Sequence, residues 1–153
     1  MARNKYEGSR SWYAVYEGVF VPGGGVNRYT AASIAALILR DLRRGWTYDE
    51  NGRRIKMDPG LAKQRLVYLI ALAKKHYGDV EKREVEEIVR YVLEHGRLPP
   101  YAVVHLAGPR AREVADELRR LGIASRVVVV EPVRPVAVGV ERGLAVAAVA
   151  ARR

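Results

Sequence analysis

The chain has 153 residues, no cysteine and a net charge of +10 at pH 7. That length supports one domain, or one domain with a small appended module, and buries about 68–70% of the unfolded surface without a disulfide or metal staple. Lack of cysteine excludes a disulfide scaffold, a cysteine nucleophile, zinc-finger chemistry and a cysteine-ligated iron–sulfur cluster, and it fits a reducing, cytoplasmic setting.

Residues 1–10 are polar and carry no apolar core of a secretory signal, so a frayed start is expected. Trp12 to Val21 reads as a strand, rich in aromatic and β-branched residues and stopped by Pro22 and three glycines. Alternation puts Tyr13, Val15, Glu17, Val19 and Val21 on a core-like face. Trp12, Tyr16 and Phe20 fall on the other, separated by Ala14 and Gly18. Rings spaced by small residues leave room for a base beside each ring, although a strand buried on both faces would also use them. Gly23-Gly24-Gly25 leads into a helix over about 30–44, capped by Asn27 or Thr30 and ended by Gly45. A glycine loop before a helix start is a candidate phosphate cradle, with Arg28 and Tyr29 beside it, but it matches neither a Walker loop nor a dinucleotide fingerprint.

Trp46 to Met57 reads as a hairpin about a type I′ Asn51-Gly52 turn. That register pairs Trp46 with Met57 and Tyr48 with Ile55, turning both rings toward the core and leaving Arg53, Arg54 and Lys56 to decorate the tip. Asp58-Pro59 starts a second helix that runs to about Tyr77, and a third covers about 80–95 with alternating charges at i,i+4. Pro99-Pro100 mark a boundary. Beyond it the expected elements are a strand at 101–106, a helix after Gly108-Pro109 ended by Gly122, and a buried strand at 127–130. Residues 136–140 and 144–149 form a hairpin, or 144–151 a helix; their Val/Ala-rich sequence leaves a homodimer open. The organisation is thus a basic, aromatic-rich part at 1–98 and a strand–helix–strand unit at 99–153, together one compact domain. The fold class is α+β, a small β-sheet with packed helices.

Catalytic and metal chemistry finds little support. His76, His95 and His105 are isolated, carboxylates are not clustered as a metal-dependent nuclease needs, and no serine sits in a nucleophile elbow. The expectation is a protein without catalysis or cofactor. No apolar run approaches the ~20 residues of a membrane span.

Charge and rings point the other way, toward nucleic acid. Residues 1–77 hold 14 basic and 6 acidic side chains and ten of the 12 aromatics. Arginine far outnumbers lysine, 21 to 6, and offers a planar fork to phosphate. One Gln, three Asn and no Cys are a thermophile's usage. Cations beside flat rings are what a single strand of nucleic acid requires. Trp12, Tyr13, Tyr16 and Phe20, followed by Arg28-Tyr29 and Arg43-Arg44-Gly45-Trp46, resemble in character and order the ThermoDBP-related single-stranded-DNA-binding proteins of thermophilic archaea. The resemblance implies a ring-lined, cation-rimmed cleft, no catalytic centre and usually a dimer. It departs from that family at the C-terminus, where short strands replace a long zipper helix. The expected function is sequence-independent binding of single-stranded nucleic acid, DNA before RNA. Trp12, Tyr16 and Phe20 would stack on bases, with Tyr29 between them, and Arg10, Arg28, Arg43, Arg44, Arg53, Arg54 and Lys56 would hold phosphates. The alternatives are a structural RNA-binding subunit of a ribosomal or CRISPR ribonucleoprotein and, further off, a nuclease subunit.

Overall fold

The computed structural model describes residues 17–131. Arg10, Trp12, Tyr16 and the 136–151 segment therefore lie outside the described residues. Within them, four helices and two sheets of two strands each make an α+β fold. The elements are α1 (Arg28–Arg44), β1 (Trp46–Tyr48), β2 (Arg54–Lys56), α2 (Pro59–Tyr77), α3 (Asp79–His95), β3 (Val104–Leu106), α4 (Ala111–Arg120) and β4 (Val127–Val129).

Helix α1 is the axis of the molecule. Every residue from Thr30 to Asp41 is buried, so the helix is covered on all sides rather than along one stripe. It starts in a full capping box: Asn27 accepts from the amides of Tyr29 and Thr30, while the Thr30 hydroxyl accepts from the Asn27 amide. Helices α2 and α3 pack on each other and on α1, with Leu66, Leu69, Val85, Ile88 and Val92 filling the space between. On its other side α1 meets β3. One continuous apolar core therefore runs from Val19 and Val21 through the helices to Val114, Leu118 and Ile123.

The strand–helix–strand unit forms as expected, β3 and β4 pairing in parallel with Val104 opposite Val127 and α4 between them in sequence. The strands are shorter than the sequence pattern implies. Extended backbone before them differs too. Among residues 17–21 the ladder is a single antiparallel bridge, Phe20 opposite Ala107, because Gly18 turns the chain at φ 74°. The close approach there is tight. A Cβ on Gly108 would lie 2.7 Å from the Gly18 carbonyl oxygen, so this crossing demands glycine.

The hairpin departs from the type I′ register. Trp46 pairs with Lys56, Thr47 with Ile55 and Tyr48 with Arg54, one residue from the expected alignment. Asp49 is the cause. Its carboxylate accepts from the amides of both Asn51 and Arg53, and its own amide donates to the Arg53 carbonyl, closing a three-residue loop with Gly52 at φ 83°. The Arg53 and Asn51 amides hold that carboxyl below the usual range, against a smaller opposing effect of burial. A one-residue slip moves side chains to the other face of a strand. Thr47, not Trp46 or Tyr48, consequently faces the core, and both rings share a half-buried outer face with Arg54 and Lys56.

Candidate nucleic-acid interface

The arginines expected at phosphates divide sharply by partner. Arg44 is engaged inside the protein: its Nη2 lies 2.8 Å from Glu17 and 3.2 Å from Asp41, and its Nε donates to the Trp46 carbonyl. Its guanidinium also lies 3.4 Å from the centre of the Trp46 ring, and Arg54 lies 3.6 Å from the same ring. Trp46 is thereby stacked between two cations. Arg43 donates to the carbonyls of Gly96 and Leu121, tying together the C-terminal ends of α3 and α4. Arg28 forks onto Glu81, with its Nη2 at 2.6 Å. Arg53 and Lys56 stand exposed, making no ion pair among the described residues.

Around Arg44 lies a buried charge network that the sequence reading missed. Arg40 is 1% exposed and reaches Asp41 at 2.9 Å, Glu117 at 3.2 Å and Glu17 at 3.8 Å. Arg110 meets Glu17 from α4's side at 2.9 Å, Thr47 donates to Asp41 at 2.7 Å, and Arg65 of α2 donates to Thr47. Burial pushes the Glu17 carboxyl up, but the hydrogen bond from Arg44 and the charges of Arg40 and Arg44 outweigh it and hold Glu17 below its ordinary value. For Asp41 burial wins and the carboxyl is pushed up. The signal was present in the sequence: a charged pair, Arg40-Asp41, directly ends an uninterrupted small and apolar run.

The glycine loop is anchored, and the amides from Val26 to Thr30 at the start of α1 are taken. The Tyr77 hydroxyl donates to the Gly24 carbonyl, and the Val26 amide donates to Nδ1 of His76 at 2.9 Å. The Arg28 amide donates to Glu81 at 2.7 Å. An anion does sit at the start of α1, but it is the Glu81 carboxylate, held below its usual range chiefly by the hydrogen bond from Arg28. The expected phosphate cradle is therefore already filled.

Rings and hollows gather elsewhere. Phe20 is half-buried and lines a hollow of about 610 Å³ with Pro22, Pro109, Arg112 and Val130. Pro22 and Val130 are also walls of a second hollow, about 210 Å³, that contains Tyr29 and His105. Tyr29 and His105 in turn wall a third, about 190 Å³, which reaches Glu84 and Tyr101. Three adjoining hollows thus form a track carrying Phe20, Tyr29 and Tyr101. Tyr29 and Tyr101 are 61% and 63% exposed, and so are Tyr68 and Tyr77 of α2 to more than half. Residues 51–78 hold seven Lys and Arg against one acid, Asp58. On α2 the exposed positions Lys63, Gln64, Val67, Tyr68, Ala71, Lys74 and Lys75 follow one helical face. Its C-terminal end meets the glycine loop through Tyr77 and His76, next to Arg28 and Tyr29.

Among the described residues no group of three or more His, Asp or Glu is arranged to hold a metal, and no helix is long and apolar enough to cross a membrane. No family model, curated protein or solved structure matches the chain.

Proposed function

We propose that the protein binds single-stranded nucleic acid without cleaving it, bases entering the track lined by Phe20, Tyr29 and Tyr101 while phosphates run along the cations of β2 and α2. The observation that carries this reading is the run of three hollows sharing walls, with an aromatic ring in each. Unpaired bases offer π-faces to such rings, and stacking contributes about 1–3 kcal/mol per base. The cation set differs from the sequence expectation. Arg43 and Arg44 are spent on carbonyls and carboxylates, whereas Arg53, Lys56, Lys63 and Lys75 are exposed and make no ion pair among the described residues.

The test is a titration against single-stranded DNA, single-stranded RNA and duplex of equal length, repeated at several salt concentrations. The expected result is preference for single strands, with log affinity falling against log salt by about 0.7 per phosphate neutralised. Affinity flat with salt, or preference for duplex, refutes the reading. Preference for RNA over DNA moves it to a ribonucleoprotein subunit.

A further inference from the structure

We propose that the third hollow is a reading pocket for one unpaired guanine; the inference rests on the nucleic-acid reading above and names what that surface selects. At about 190 Å³ the hollow is below the 300–1,000 Å³ of a drug-sized ligand site, so it suits a single planar base rather than a nucleotide. Its floor is apolar, from Ala32, Ile88, Ala102 and Val103, and the exposed Tyr29 and Tyr101 border it.

The polar groups decide which base. Glu84 lines the hollow and makes no ion pair among the described residues. Arg28, which lines the same hollow, directs Nε and Nη2 to Glu81, at 3.2 and 2.6 Å, and forms no ion pair with Glu84. A carboxylate has two acceptor oxygens and no donor. Guanine alone among the common bases presents two adjacent N–H donors, N1 and the 2-amino group, on its Watson–Crick edge, and so matches a carboxylate in the bidentate manner. Its O6 needs a donor, and His105, which also lines the hollow, carries an imidazole N–H. Thymine and uracil offer Glu84 a single donor, N3–H, flanked on both sides by carbonyls. Adenine offers one amino group beside a bare acceptor nitrogen.

The experiment measures binding of four thymidine 11-mers whose central residue is guanine, inosine, adenine or thymine. Wild-type protein is expected to bind the guanine oligomer at least 10-fold more tightly than the thymine one, the discrimination typical of a good bidentate base contact, with inosine between them because it lacks the 2-amino donor. Glu84→Gln is expected to abolish that ratio, the guanine and thymine oligomers then binding the variant within 2-fold of each other. Tyr101→Ala is expected to weaken the guanine oligomer roughly 5- to 100-fold, the fold-change of one lost stack, with an unchanged melting temperature because the ring is 63% exposed. If wild type binds all four equally, or Glu84→Gln keeps the preference, the guanine pocket is overturned and the general binding reading stands. If no 11-mer binds even at low salt, both are overturned.

Discussion

Replacing Arg40 with Met keeps an apolar stem of similar length in the core and deletes the charge on which three acids converge. Arg40 is 1% exposed, and Glu17 and Asp41 beside it are 4% and 0% exposed. Removing one partner of a buried ion pair typically costs about 3–5 kcal/mol, because the remaining charge stays desolvated. Arg44 still reaches both acids at 2.8 and 3.2 Å, and Arg110 still reaches Glu17, so the lower end applies, about 3 kcal/mol. For a chain of this size that is a fall in melting temperature of about 6–12 °C. Urea unfolding followed by circular dichroism reads the free energy directly. Combining Arg40→Met with Asp41→Asn should restore part of the loss, since the uncompensated carboxylate goes with it. An Arg40→Met protein as stable as wild type, or more so, would refute the reasoning, for then the desolvation of the cation cancels all it gains from its partners.

The same network predicts an acid limb. Glu17 stays ionised in the fold to a lower pH than in the unfolded chain, so unfolding takes up a proton and stability falls as pH drops below about 4.5, its ordinary value. Glu17→Gln should flatten that fall in urea titrations between pH 3 and 6. Asp41, with its carboxyl raised, has the opposite sign, and Asp41→Asn should steepen the fall. In the hairpin, Asp49→Ala removes the acceptor for two loop amides, and nuclear Overhauser contacts should move from the Trp46–Lys56 register toward Trp46–Met57. On α2, Tyr68→Ala should weaken single-strand binding by about 1–3 kcal/mol without lowering the melting temperature, since the ring is 60% exposed; unchanged affinity would remove Tyr68 from the interface.

Local signals settled the elements of this protein before any packing is considered. Asn27, Asp58 and the glycines at 45, 78 and 96 delimit the three long helices, because a cap is satisfied by backbone groups within four residues of it. The α+β class and the strand–helix–strand order near the C-terminus followed from periodicity in the same way. Decisions between remote segments were not legible. Whether Arg28, Arg43 and Arg44 face phosphate or protein depended on Glu81, on Gly96 and Leu121, and on Glu17, none of which is a neighbour in sequence. The hairpin turned on a local competition read the wrong way, Asp49 outbidding Asn-Gly, and one residue of slip exchanged the faces of Trp46 and Thr47. Tyr29 was legible as a ring beside the glycine loop, but Tyr101 and Glu84 were not legible as its companions. A single sequence records which side chains exist and how they recur along one element. The meeting of α1, α3 and the chain before β3 at one hollow is fixed only when the core between them is packed.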